Sequence, residues 1–443
     1  MTLAVSRPPQ NAPLGLRLQR DERLLVILAL IGAVPIGVSI ALVGLLPVVI
    51  LMGLAAAALF IRRPQLSVLA AIPIIQLVNP GVQVIPLEVV GTSMTFLAWL
   101  VLRRLGLIAH STAPKRLPVA FGCWLIASYT LFSISGYHNP DRFTSLVSMI
   151  NGLLLMFAAG SLRPRPIHVV MVASVSAAVA GIAAFFLKTY DLEGRVIALG
   201  LNTNYLGVIM TMGVVSVAVC IHERKEWFWL VLLPPMVWVI VATHSRGTLI
   251  GLVAGLGLFF AYAGARARYM AVLVLTFGLS LLPVFSSFTE KTLLGNRNNF
   301  GRSNELRGEV LKAAVRTTFS HPIVGIGYGL FQPTSLDNPK VGRILNTHND
   351  FARLAAETGL PGLIMFLAMA FPPFFRRRTK TVTLLTPIVL TYLVGLTDAN
   401  LLDSMIVSCP FWIMLGLLST IGRETNSDSP SRDLATIAPA LTT

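Results

Sequence analysis

From Leu24 to Ile61 the chain carries no charged side chain. As a helix that stretch would run for about 57 Å, against the roughly 30 Å of a bilayer's hydrocarbon. It therefore reads as two helices back to back, broken near Val43–Pro47, and it is far too long for the apolar core of a cleavable signal peptide. Similar runs recur as far as Ile421. Only 12% of the 443 residues are charged, where a globular domain has about a quarter, and 55% are hydrophobic, with a mean hydropathy of +0.75. The pattern predicts an all-α polytopic membrane protein with about 12–14 transmembrane helices.

Basic residues gather at alternate boundaries: Arg17/Arg20/Arg23, Arg62-Arg63, Arg103-Arg104 with Lys115-Arg116, Arg163/Arg165, Arg224-Lys225, Arg266/Arg268, and Arg376–Arg378 with Lys380. Neighbouring clusters are separated by enough apolar sequence for two crossings, so the positive-inside rule puts them all, and both termini, in the cytoplasm. Expected spans lie near 24–41, 44–61, 66–80, 89–106, 118–136, 144–162, 167–187, 204–221, 228–243, 248–264, 269–286, 360–375, 382–398 and 404–421. The expected organisation is a basic N-terminus (1–23), a helical membrane domain (24–286), a large loop outside the cytoplasm with short helices (287–359), two closing membrane segments (360–421) and a disordered Ser/Asp/Thr/Pro-rich tail (422–443). Cys123, Cys220 and Cys409 are too few and too scattered for disulfides or a metal site, and read as small core residues.

The polar residues assigned to the outer face form the candidate site. One short loop carries Lys188, Asp191, Glu193 and Arg195 ahead of "GLNTN"; the next is "THSRG", with His244 and Arg246. Gly247, Gly251 and Gly255 follow at four-residue spacing, a close-packing helix face. A guanidinium there suits bidentate phosphate recognition, or else serves as an interfacial anchor. The long loop adds Lys291, Arg297, Arg302, Arg307, Lys312 and Arg316. Its segment around Arg307 reads as an amphipathic helix with Leu306, Val310, Leu311 and Ala314 on one side. Then come His321 and the turn Gly325-Ile326-Gly327-Tyr328-Gly329, which lacks the Lys-Ser/Thr of a phosphate-binding P-loop.

The segment "NTHNDFARLAAETGLPG" closes the loop. Asn346, Thr347 and Asn349 are possible N-caps, Phe351, Leu354 and Ala355 recur on one helical face, and Asn349, Arg353 and Glu357 share another. Gly359 and Pro361 are a helix stop. His348 thus stands at a helix start, where unpaired amides disfavour an imidazolium and leave a neutral imidazole fit for general-base work. The alternative is that it only caps or packs that helix. No Asp-x-Asp, His-x-x-x-His or Cys pair occurs in the outer loops, so no metal and no cofactor is expected.

Three elements in order, "HSRG", "NELRGEVLKAAVRTTFSHPIVGIGYGLF" and His348-Asn349 with Gly359 eleven positions after the histidine, resemble the O-antigen ligase and polymerase superfamily of bacterial envelope glycosyltransferases. The resemblance implies a GT-C-like helical fold in the inner membrane and an active site facing the periplasm. It implies an undecaprenyl-diphosphate-linked glycan as donor, lipid A–core as acceptor, and no metal or nucleotide. It implies catalytic roles for Arg246, Arg307 and His348, with Arg195, Asn349 and Glu357 in support; Lys188, Arg302 and His321 of the outer loops are further substrate-binding candidates on their charge and placement. Membrane lipids are the other expected partners; no nucleic acid is expected, and the chain is expected to act as a monomer. A polymerase that elongates the lipid-linked glycan shares the same elements. A protein oligosaccharyltransferase would resemble a longer chain with an extra periplasmic region. A transporter or flippase would show paired broken helices and charges within the membrane.

Overall fold

A computed structural model of the chain describes residues 65–77, 99–100, 116–133, 140–190, 195–243, 245–264, 300–331 and 347–421, all within one compact unit that begins at Leu59. Outside the described residues lie the expected N-terminus, the spans near 24–41, 44–61 and 269–286, most of that near 89–106, and the tail. Asp191, Glu193, His244, Lys291, Arg297 and Asn346 also lie outside them, as does the side chain of Arg302.

The described chain is helical almost throughout. In order come α1 (Gln65–Leu77), α2 (Arg116–Ser133), α3 (Pro140–Leu162), α4 (Pro166–Phe186), a short antiparallel hairpin β1 (Thr189–Tyr190) and β2 (Val196–Ile197), and α5 (Thr203–Arg224). A 3-10 turn (Trp227–Leu232) then leads into α6 (Leu233–Thr243), followed by α7 (Arg246–Tyr262) and α8 (Phe300–Ser320). The last are α9 (Asp350–Ala370), α10 (Pro372–Phe375), α11 (Lys380–Gly395) and α12 (Met405–Thr420). Among the described residues four helices are long and apolar enough to cross a membrane, α3 from Arg142, α4, α5 and α9; shorter apolar helices accompany them. The expected all-α polytopic architecture is borne out.

α12 is the hub. Every residue from Met405 to Leu418 is buried, and the helix packs against α1, α3 and α11. The approach to α3 depends on small residues: a side chain at Gly416 would strike the backbone of Met156, and one at Gly152 would strike the Trp412 ring. Between α7 and α11 the same logic holds. Gly251 lies under the carbonyl of Thr391, and Gly255 lies against the Thr391 hydroxyl and the Pro387 carbonyl. The four-residue glycine spacing is therefore a helix contact, as the sequence suggests.

α9 joins the short helix expected before Gly359 to the membrane segment expected near 360–375. Helix runs from Asp350 and is broken at Gly359 (φ 72°, ψ 179°), with Pro361 beyond the break. A Cβ at Gly359 would meet the carbonyl of Ile323. The break is clasped from three sides: Leu360 N–H donates to Pro322 O (2.8 Å), Trp124 Nε1 to Thr358 O (2.8 Å) and Ser128 Oγ to Glu357 O (3.1 Å). The glycine-rich turn after α8 supplies part of that clasp. Its amides are spent inside the protein: Ile326 on Ala356 O, Gly327 on Glu357 O, Tyr328 on Ser128 Oγ and Phe331 on the Glu357 carboxylate. It is a structural brace, not a phosphate cradle.

Two facial assignments shift. α8 buries Val310 and Ala314 against Ala352, Ala356 and Phe331, whereas Leu311 is exposed. On α9 the Arg353/Glu357 face is as buried as the apolar one, because partners from elsewhere satisfy it. Of the cysteines, Cys220 and Cys409 are core residues but Cys123 is exposed.

Candidate active site

The site is assembled at one end of the bundle, where α5, α7, α9 and α12 begin and α11 ends. At the other end of α5, about 32 Å away along its axis, Lys380 pairs with Glu223 (2.7 Å), and Arg376 holds the Leu418 and Ile421 carbonyls at the end of α12. The basic clusters Arg224-Lys225 and Arg376–Arg378 are thus far from the site, as their expected placement on opposite faces requires.

His348 opens the segment that enters α9. Its backbone is left-handed (φ 51°), one of the few non-glycine residues in that region. Asn349 is the N-cap: its side chain accepts from Ala352 N–H (3.0 Å), and Asp350 N–H donates to Leu396 O (2.8 Å). Thr347 Oγ donates to Asn349 O (3.0 Å) and lies 3.2 Å from Asn400 Oδ1. The turn holding the imidazole is therefore tied down on both sides, which is how a strained residue is kept in place.

The tie is the short connection 396–404 between α11 and α12. Asn400 also accepts from the Tyr205 hydroxyl of α5 through its backbone carbonyl. Asp350, fully buried, accepts the amides of Leu401 and Leu402. Arg353 bridges Asp350 (2.7 Å) and Asp403, and the Tyr328 hydroxyl donates to Asp403 (2.9 Å). Arg353 alongside holds the Asp403 carboxyl below its ordinary range in spite of burial. This closed ionic knot lies beneath His348 and faces inward.

Above it the ionic groups are more open. Arg307, from the second turn of α8, pairs with Asp398 (3.0 Å), and both side chains remain about one-third exposed. Asp398 also accepts the Gly247 amide in the first turn of α7, and Arg246 is close enough to bias its charge. Gly247 is required there, since a Cβ would collide with the Asp398 carboxyl. Burial pushes the Asp398 carboxyl up, against the pull of Arg307, the Gly247 amide and Arg246. The His348 imidazole is pushed down to about 4, first by burial and then by the positive charges of Arg307 and Arg195. Arg195 is half-buried just ahead of β2, and β2 packs on α5 and α6.

Arg195 and Arg307 thus both bias the charge of His348, Arg246 biases that of Asp398, and Arg307 pairs with Asp398 directly. Other expected residues lie elsewhere. Lys188 sits over the rings of Phe185 (4.7 Å) and Trp238 (5.3 Å). His321 is exposed at the far end of α8, about 20 Å along the helix from Arg307. Glu357 is buried and takes the Phe331 amide (3.2 Å). Asn349 serves as the cap already described.

Asp398 and Asp403 stand in the sequence as two carboxylates between apolar runs, with no motif around them, and sequence reasoning did not single them out. Their signal is that ionisable residues bordering apolar helices are costly and tend to be functional. Among the described residues no group of three or more His, Cys, Asp or Glu side chains is placed to hold a metal ion.

Fold and site together define a polytopic helical membrane protein with a cationic, histidine-bearing site at one end. Residues 228–367 match the family model O-Antigen ligase, which bears out the resemblance over about a third of the chain. The match carries Arg246, Arg307 and His348, while Arg195, Asp398 and Asp403 come from outside it. The family points to O-antigen ligase or polymerase chemistry. No curated protein matches the chain.

Proposed function

We propose that the protein is an O-antigen ligase of GT-C-like architecture. It moves a glycan from undecaprenyl diphosphate to lipid A–core at the periplasmic face of the inner membrane, by direct inverting displacement without a metal. The observation that supports this reading is the half-open Arg307–Asp398 pair (3.0 Å) at the first turn of α7, with Arg246 beside it and Arg307 near enough to His348 to depress its imidazole. As the bond from the sugar to the lipid diphosphate breaks, negative charge grows on the leaving oxygen. Arg307 and Arg246 stabilise it electrostatically, as a divalent ion does in other transferases. Loss of one such donor costs about 10²–10³ in kcat.

His348 takes the proton of the attacking acceptor hydroxyl. A histidine held near 4 is neutral at pH 7, which a base must be, but it is weakly basic. Donor binding corrects that: a diphosphate on Arg307 and Arg195 cancels the charges that depress the imidazole, so basicity returns when the donor is in place. The elongating polymerase is the neighbouring possibility within the family. Purified protein given lipid-linked glycan, lipid A–core and chelator should yield glycan on lipid A–core; lengthened glycan on the donor lipid would identify a polymerase instead, and the absence of both products would overturn the reading.

A further inference from the structure

We propose that Asp398 is a built-in stand-in for the diphosphate, holding the arginine pocket closed until the donor displaces it and returning to expel the spent lipid diphosphate. The proposal rests on the functional reading above. It starts from a contrast between two carboxylates five residues apart. Asp403 is locked: Arg353 and Tyr328 hold it, and the Arg353 side chain is 7% exposed. Asp398 is not. Its partner Arg307 is 34% exposed and it is itself 30% exposed, so water and a ligand can reach the pair.

What Asp398 occupies is an anion site. The first turn of α7 has no acidic residue of its own, and the side chain of its N-cap Ser245 makes no capping bond. The Ser245 hydroxyl is buried without a hydrogen-bond partner among the described residues. The helix's positive end instead takes the Asp398 carboxylate on the Gly247 amide, with Arg246 beside it and Arg307 opposite. A helix N-terminus with two guanidiniums is the arrangement that binds a phosphate group. Gly247 leaves the room for it, because any side chain there would fill the space the carboxylate uses.

A carboxylate offers these donors one negative charge and a diphosphate offers two linked anionic groups, so the donor can win the exchange. Once displaced, Asp398 stands close to the bound anion and weakens its hold. That matters after transfer, when the product lipid diphosphate still carries the groups the arginines grip. Binding donor and product tightly alike would not speed turnover.

The test uses the full-length protein in detergent, without divalent ions, and inorganic pyrophosphate as probe. Asp398→Asn should bind pyrophosphate about tenfold or more tightly than the wild type, because the competitor has lost its charge. It should also show a lower KM for donor with a lower kcat, limited by product release. If Asp398 only positions Arg307, the same variant binds pyrophosphate less tightly or equally, and the proposal is overturned. Carboxyl labelling of wild-type protein covers the case in which the variant does not fold: pyrophosphate should raise carbodiimide modification of Asp398, and unchanged or reduced modification would contradict the idea. Tighter pyrophosphate binding with no glycan transfer to lipid A–core would sink the functional reading and leave the stand-in role intact. Transfer with unaltered pyrophosphate binding would do the reverse.

Discussion

At the scale of single residues the account turns on His348. A left-handed residue other than glycine costs on the order of 1–3 kcal/mol unless its surroundings enforce it, and Asn tolerates the region better than most. His348→Asn should therefore fold with wild-type thermal stability yet lose about 10²–10⁴ in transfer rate. An unchanged rate would remove His348 from the chemistry. The pH dependence follows in sign. The free-state imidazole lies at about 4, below its ordinary 6.5, so kcat/KM should hold its plateau down to pH 5.5. The acid limb of kcat should lie higher, because bound diphosphate restores the base. Stability moves with the same shift: the unfolded chain binds the extra proton first, so this contribution is lost as pH falls from about 6.5 towards 4.

Arg353 carries the opposite kind of prediction. Arg353→Met strands Asp350 and Asp403 without their cation and should destabilise the protein by about 3–5 kcal/mol, seen as a large drop in Tm. The partners at this scale were mostly hidden in the sequence. Nothing in spacing ties Arg307 to Asp398, 91 positions apart, or Arg353 to Asp403, 50 apart. The segment around His348, in contrast, showed its cap and its helix stop.

Among elements, the parts legible in advance were those written in local pattern. The apolar runs gave most described helices within a few residues, and the Gly247/Gly251/Gly255 spacing gave a packing face. Gly255→Leu should force α7 off α11 and lower stability by about 1–3 kcal/mol or more, with a falling Tm in detergent. An unchanged Tm would mean that the two helices do not depend on that contact. Harder to foresee was what holds the break inside α9. Gly359 and Pro361 announce a stop, but only the clasp by Trp124, Ser128 and Pro322 lets the helix resume directly. The same tertiary context turned the Arg353/Glu357 face inward, against its polar composition.

For the whole molecule, the arrangement puts the candidate site and the described clusters Arg224-Lys225 and Arg376–Arg378 at opposite ends of the bundle. The alternating Arg and Lys clusters implied this, since each pair of crossings returns the chain to the same side. With Cys123, Cys220 and Cys409 replaced, a cysteine at Tyr190 should react with an impermeant maleimide in spheroplasts, and one at Lys380 only after permeabilisation. The reverse pattern would turn the site towards the cytoplasm and away from the proposed substrates.

The central claim is that guanidiniums do the work of a metal while His348 takes the proton. Its most direct test is the single-turnover rate of glycan transfer to lipid A–core by purified protein in excess chelator, for the wild type, Arg307→Gln and His348→Asn. The account predicts an undiminished wild-type rate and losses of at least about 10² in each variant. A wild-type rate abolished by chelator, or variants as fast as the wild type, would contradict it.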